Sequence, residues 1–553
     1  MSGPAAPLPA ARAARASAAL ARLAAAARED RAILAFLAVL LLGLILLADR
    51  SSYWYDELLS VDVYGLRHAT PYRMVLDLAN NSVHPPLYQL VLYAWMTVFG
   101  ESEAATRALS SVYAVLAALF LYGIVKAPWG RAIAFASAAG FAVMGATVLY
   151  ALEARSYAQT MLLVTVSSWL LLRLLAQRAD PAVPVRRGRL QLAALIAVNT
   201  ALMLTHYYNV FWLIAQAAFL LVHLAVARPR PSRRAGLGVL LLVGGVPQLL
   251  FAASWGAVLL RQYLDLEERF GTEGAAEQGP VELLTGLIGR NLAAPTAVLV
   301  ALGAGVLAML VASLGRLVRA RGAASERAAW GYLYLVVWLV VPLVVVYAVF
   351  SLAGVERYHP RYFLFAVPPL APLVVIAVVA GLQRGWRWLR RQPSAAAPLA
   401  PAVAGLLIAA LALPGGLAAA GDRKQDWRGV AQELVDIVHG DPVHRYVVVE
   451  ASFGGPSRID FYLERLSDDV RSELRPQRRE EAAGDYSALL AELPEPGSGE
   501  RVALVLVHHT AADFPRLIEL LDERYSRILT GLDGKGEGLV VYAAEPAPGG
   551  RTG

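Results

Sequence analysis

The 553-residue chain contains no cysteine. That excludes disulfide frameworks, thiolate nucleophiles, iron–sulfur clusters and Cys-type zinc sites. Charge is scarce as well: Asp, Glu, Lys and Arg make up 17% of the residues, against about 25% in an ordinary soluble domain. Lysine occurs only at positions 126, 424 and 535, so nearly all the basic character is arginine. No glycine-rich loop opens a helix after a strand; Gly534–Gly538 (GKGEG) reads as a β-turn. What the chain has in excess is apolar surface, with 57% hydrophobic residues and a mean hydropathy of +0.51. These residues come in runs, the first being AILAFLAVLLLGLILLA at 32–48. The composition therefore excludes collagen, long disordered chains and water-soluble enzymes, and predicts a polytopic α-helical membrane protein.

Eleven runs are long enough to be predicted spans: 32–48, 105–126, 131–150, 157–176, 190–205, 208–227, 236–256, 292–315, 329–352, 362–382 and 398–420. Leu87–Phe99 is apolar but short, lying between His84-Pro85-Pro86 and Gly100-Glu101. Arg-rich loops at 12–31, 173–189, 228–234, 316–327 and 384–391 share one side only if Leu87–Phe99 does not cross. Positive-inside bias then predicts a cytoplasmic N-terminus and an external tail. It also makes the first run a retained span, since no A-x-A cleavage site follows it.

The expected organisation is a cytoplasmic tail (1–31), a membrane domain (32–420) with its first external loop at 49–104, and an external α/β domain (421–553). From Gly421 onward the chain holds 16 Lys+Arg against 24 Asp+Glu, so the tail is −8 and the remainder +15. Positive charge confined to short loops is a topology signal, and no nucleic-acid partner is expected. In the tail, strands are predicted at Tyr446–Glu450, Val502–Val507 and Leu539–Tyr542, and helices at Asp426–Val438 and Phe514–Tyr525.

Polar clusters on the predicted outer side are the candidates for chemistry. YWYDELLSVDVY (53–64) places Asp56 and Glu57 beside Tyr53, Trp54 and Tyr55, either as a solvated loop in an aromatic belt or as a catalytic carboxylate at the membrane surface. In VHPPLYQ (83–89) the two prolines start a helix just after His84. LEARSYAQ (152–159) carries Glu153, Arg155 and Tyr157, and GVERYHPRYFLF (354–365) carries Arg357, Arg361 and Tyr362. Arginine is unexpected in short outer loops; these residues either pair with Glu153 or Glu356, or grip a lipid phosphate through a bidentate fork. His206 lies at another outer helix end, where it either lines a site or caps the helix. His508-His509 with Asp513 are either metal ligands or exposed strand-end residues.

Four of these motifs in order, Asp56-Glu57, His84-Pro85-Pro86-Leu87, Ala154-Arg155-Ser156-Tyr157 and Arg361-Tyr362, resemble the GT-C superfamily of polyprenyl-phosphate-dependent glycosyltransferases. The likeness is to its protein O-mannosyltransferase, lipid A aminoarabinose transferase and Rgt-like branch. HPPL is nearer the mannosyltransferase pattern, and no MIR-type β-trefoil insertion is present. The resemblance implies a GT-C-like fold and an inverting transfer of a monosaccharide from a polyprenyl-phosphate-linked sugar. It also implies an acceptor hydroxyl on a glycan, lipid or protein, while the skew of basic residues to arginine and the abundant alanine predict a bacterial cytoplasmic membrane as the setting. Such a reaction needs one carboxylate base and charge stabilisation of the leaving phosphate. Asp56 is the expected base, and Glu57 an orienting group or the ligand of a divalent metal. Arg155, Arg357 and Arg361 are expected to bind the donor phosphate, and His84, Tyr157, His206 and Tyr362 the substrates. A glycoside hydrolase needs two separated carboxyls, which adjacent Asp56 and Glu57 do not provide. Two alternatives remain, a secondary transporter and an oligosaccharide polymerase or ligase. A transporter places ionisable groups near the midplane, whereas here the spans hold few, His223 among them.

Overall fold

The computed structural model describes residues 28–178, 185–227, 233–264, 280–319, 323–353, 360–392, 396–422, 426–451, 458–467, 475–479, 486–506, 515–532 and 538–544. Arg357, His508, His509, Asp513 and residues 534–537 lie outside them. The chain divides into two compact units, one of residues 1–47, 75–91 and 107–421, the other of 48–74, 92–106 and 422–553.

The first unit is helical, and every expected apolar run falls on helical chain. Among the described residues, eight helices are long and apolar enough to cross a membrane, or nine if a bent pair counts as one span. Helix length and composition thus support eight or nine of the eleven expected spans among the described residues. The Arg31–Leu47 helix has 17 residues, about 26 Å at 1.5 Å per residue, short of a hydrocarbon core of about 30 Å. The Val185–Met203 helix spends its first turn on Arg186, Arg187 and Arg189. A second correction concerns the expected span at 362–382. Pro360–Ala366 is a 3₁₀ turn kinked at Phe363, and the helix runs from Leu370 to Leu389 behind Pro369. Pro368 and Pro369 lack the N–H groups an α-helix would use and disfavour helical backbone ahead of them. Arg361 thus stands on a turn ahead of the helix, as expected, and Tyr362, the first residue of the expected span, stands on that turn with it. The Leu87–Phe99 helix forms over the residues expected.

Small residues decide where the helices meet. Arg131–Ala142 and Gly145–Ala151 are bent by 60° at their junction. A Cβ at Gly145 or Gly415 would run into the Arg290 carbonyl, and one at Gly416 into the Val143 carbonyl. Only glycine lets these backbones approach. The Ala146 amide donates to Asn291 Oδ1 (3.1 Å), and the Ala293 amide to the Leu411 carbonyl (2.7 Å). The end of the Pro280–Asn291 helix is thereby seated at the bend.

A buried polar network ties further helices together inside the apolar bundle. Ser167 Oγ donates to Asn199 Oδ1 (2.5 Å), and Asn199 Nδ2 donates to Gln216 Oε1 (2.8 Å) and the Val243 carbonyl (3.1 Å). Val243 sits in a wide π-turn, Leu241–Gly245, which frees a carbonyl for a side chain from outside the helix.

The second unit holds a five-stranded mixed sheet. Its strands are β1 (Tyr446–Ala451), β2 (Arg475–Arg479), β3 (Arg501–Leu506), β4 (Ser526–Leu532) and β5 (Gly538–Ala543), in the order β2-β1-β3-β5-β4. β1 pairs in parallel with β2 and β3, and β5 antiparallel with β3 and β4. Val447, Val449, Val502, Leu504, Val540 and Tyr542 form its core against Leu489, Leu517, Leu521 and Tyr525. The three predicted strands form the centre. The two unpredicted ones, RPQRR and SRILTGL, are its edges, where apolar alternation is not required. Asp426 caps the Trp427–Gly440 helix by accepting the Gly429 amide. Residues 48–74 and 92–106 belong to this same unit.

Candidate functional site

Two helix ends build the site in the first unit. Pro85 and Pro86 have no N–H to donate, so Leu87 supplies the first amide of the Leu87–Phe99 helix. Its acceptor is the Leu204 carbonyl (2.9 Å), beyond the end of the Val185–Met203 helix. An orphan donor of one helix and an unused acceptor of another satisfy each other. That bond brings the His84 and His206 rings to 6.0 Å between centroids. Arg155 comes from the turn between the bent helix pair and Tyr157–Arg178, and its Nη2 donates to His84 Nε2 (3.0 Å). Arg361 arrives on the 3₁₀ turn, close enough for its charge to act on both histidines.

Aromatic rings wall this cluster. The Arg155 guanidinium stands 5.9 Å from the Tyr157 ring centroid, and that of Arg361 5.5 Å from Tyr362. His206 packs against Tyr157 (6.3 Å), Tyr208 (5.6 Å) and Tyr362 (5.6 Å). Arg155, Tyr157, His206 and Glu153 are buried. Six residues expected at the site, His84, Arg155, Tyr157, His206, Arg361 and Tyr362, are thus brought together from four separate stretches of chain.

Both histidines are neutral. Burial first, then the charges of Arg155, His206 and Arg361, hold His84 well below its ordinary 6.5. Burial, then Arg155 and Arg361, push His206 down to about 3. His84 accepts from Arg155 at Nε2, which leaves its proton on Nδ1; His206 accepts the Tyr208 amide at Nδ1 (3.3 Å), which leaves its proton on Nε2. Two guanidiniums and two imidazoles therefore share one region of the first unit.

The sign of the pH effect follows from the depressed values. Below pH 6.5 the unfolded chain takes up protons that folded His84 and His206 do not, so stability falls as pH drops toward about 3. The melting temperature in detergent is expected to be lower at pH 5 than at pH 7.5, and His206→Gln is expected to narrow that gap. A gap unchanged in this variant would contradict the assignment.

Sequence reasoning missed Arg290 and Tyr150. Arg290 Nη1 lies 3.4 Å from the Tyr150 hydroxyl, and Tyr150 packs on Tyr157 at 4.8 Å. Glu153, Arg290 and Arg361 all act electrostatically on Tyr150. No local motif marks Arg290; its place depends on the glycines that let its helix end approach the bend.

Asp56 and Glu57 belong to the other unit. They lie in a one-turn helix, Tyr55–Leu58, continued by a π-turn, Leu59–Leu66. Glu57 is buried and its Oε2 accepts the Trp54 amide (3.2 Å), which caps the turn. Asp56 is half-buried, and its carbonyl accepts from Ser60 Oγ (3.2 Å). Asp62, further along, is ion-paired with Arg67 (2.5 Å), yet burial lifts its carboxyl to about 6. Among the described residues no three His, Asp or Glu side chains gather as a metal site.

No protein-family model and no curated protein matches the chain. Among solved structures it is similar to ArnT from Cupriavidus metallidurans bound to undecaprenyl phosphate, at 14% identity over 93% of this chain and 98% of that one, with a TM-score of 0.47. It is also similar to the apo oligosaccharyltransferase of Archaeoglobus fulgidus, at 12% identity over 94% of this chain and 75% of that one, with a TM-score of 0.47.

Proposed function

We propose that the protein is a membrane glycosyltransferase of GT-C type that moves a monosaccharide from a polyprenyl-phosphate donor to an acceptor hydroxyl, with inversion. The observation that carries this reading is the convergence of Arg155, Arg361, His84 and His206 inside a tyrosine-walled cluster in a helical membrane unit. A lipid phosphate suits it: the guanidiniums and imidazole N–H groups meet the phosphate oxygens while the prenyl chain stays among apolar helices. Tyrosine faces suit the sugar.

In the proposed step, the Asp56 carboxylate takes the proton of the acceptor hydroxyl as its oxygen attacks the anomeric carbon. The bond from that carbon to the phosphate oxygen breaks, and the phosphate leaves with the electron pair. Phosphate is a good leaving group, so fixed positive charge at Arg155 and Arg361 does more for it than a general acid. Glu57, engaged with the Trp54 amide, orients the turn that carries the base. The first loop and the tail lie outside the bacterial cytoplasmic membrane in this reading, and the N-terminus inside.

Purified protein, given a synthetic polyprenyl-phosphate sugar and an extract containing acceptor, is expected to release free polyprenyl phosphate. In the native Cys-free background, a cysteine at Ser498 is expected to react with an impermeant maleimide in intact cells. Transfer from UDP- or GDP-sugars without any prenyl lipid would overturn the donor assignment. Gradient-driven uptake into proteoliposomes without a glycosidic product would move the protein to the transporter class.

A further inference from the structure

The second unit joins the Asp56–Glu57 turn to the C-terminal domain through buried polar contacts before the turn and an exposed ion pair after it. Tyr53, three residues before Asp56, is fully buried. Its amide donates to the Tyr462 hydroxyl (2.7 Å), and that hydroxyl donates to Glu103 Oε1 (2.9 Å). The Tyr53 hydroxyl in turn meets the Glu101 carbonyl (2.9 Å) and Thr106 Oγ1 (2.7 Å), while its ring packs edge-on against Phe461 at 5.9 Å.

A second helix of the domain holds the preceding residues. Ser52 Oγ donates to Asp426 Oδ1 (3.1 Å) and accepts the Arg428 amide (2.9 Å). The Arg428 guanidinium reaches Asp49 Oδ1 (2.9 Å) and the Asp49 carbonyl (2.8 Å). Beyond the turn, Arg67 lies between Asp62 (2.5 Å) and Glu464 (3.7 Å), and Arg465 pairs with Glu101 (2.6 Å). The Arg458–Leu466 helix therefore touches residue 53 on one flank, residue 67 on the other, and the Glu101–Thr106 stretch behind.

From this we infer that the C-terminal domain is a positioning device for the Asp56 turn, with Tyr462 as its central positioning residue. Placing the domain beside the turn through side-chain hydroxyls and carboxylates makes the geometry of the base depend on residues some 400 positions away. Tyr462 does not touch substrate. It fixes the backbone from which Trp54, Asp56 and the Glu57 cap follow, and so acts through Asp56. The inference rests on the assignment of Asp56 as the base.

Tyr462→Phe keeps the ring and deletes only the hydroxyl. In the full-length protein it is expected to lower kcat by about 10–100-fold, the scale of a misplacement of about 1 Å at a reacting group, with the donor KM within about twofold of wild type. Hydrogen–deuterium exchange of the peptide covering residues 53–58 is expected to speed up while the sheet of the tail stays protected. Arg465→Gln, at a more exposed ion pair, is expected to act in the same direction and more weakly; it serves if Tyr462→Phe does not fold. Wild-type kcat together with unchanged exchange at 53–58 in a folded Tyr462→Phe protein would overturn the inference. An active Asp56→Asn protein would instead strike the assignment of the base, and the exchange experiment would still decide whether the domain holds the turn.

Discussion

Replacing Asp56 with Asn is expected to lower glycosyl transfer by about 10²–10⁴-fold, the usual contribution of a positioned general base, without loss of expression or of donor binding. The carboxylate is half-buried on a one-turn helix, with neighbours that hold its backbone through Ser60 and through the Glu57 cap. Asparagine keeps the size and the helical turn but cannot accept a proton. The effect should therefore fall on kcat, with KM for the donor nearly unchanged. Glu57→Gln is expected to be milder, because a glutamine carbonyl can still accept the Trp54 amide. A large additional loss on EDTA treatment of wild type would assign Glu57 to a metal instead. Substantial activity in Asp56→Asn would disprove the role given to this residue.

Arg155→Ala is expected to weaken use of the polyprenyl-phosphate donor by roughly 10–150-fold, from about 1.5–3 kcal/mol for a charge-assisted hydrogen bond at 1.4 kcal/mol per decade. Of the two arginines proposed to bind the phosphate, Arg155 is the larger target for a geometric reason. It is buried, and its Nη2 donates to His84 Nε2, so its removal takes away both a cation and the partner that sets the His84 tautomer. Arg361, half-buried on the 3₁₀ turn, is expected to cost less. The loss is read as a rise in donor KM and a weaker displacement of donor by free polyprenyl phosphate. Equal kinetics for wild type and Arg155→Ala with a lipid-phosphate donor would exclude this arginine from phosphate binding.

Several parts of this architecture are local and were legible from residues alone. Long apolar runs announce membrane helices because composition over about 20 residues suffices. The Leu87–Phe99 helix was readable from His84-Pro85-Pro86 at its start and Gly100 at its end, since proline and glycine constrain their own backbone. The central strands β1, β3 and β5 were readable as short β-branched runs. Where local signals conflicted, the expectation slipped. The apolar stretch 362–382 looked continuous, but Pro368-Pro369 split it into a turn and a helix, and the turn carries Arg361 and Tyr362.

The residue types at the candidate sites were also readable, because arginine and histidine at outer helix ends are conspicuous against an apolar background. Their grouping was not. His84 and Arg155 are separated by 71 positions, and their contact depends on the Leu87 amide finding the Leu204 carbonyl and on Arg155 leaving a buried turn. Arg290 joined the cluster only because Gly145, Gly415 and Gly416 allow three backbones to meet. Tyr462 lies 409 positions from Tyr53, in a helix whose sequence carries no mark of a partner in the first loop. Composition and periodicity determined by themselves that this is a helical membrane protein with an α/β tail, since burial in lipid and the 3.6- and 2-residue periods act along the chain. Which arginines and histidines cluster, and what holds the Asp56 turn, was decided only by the tertiary structure, because those contacts come from complementary helix ends and side-chain hydroxyls far apart in sequence.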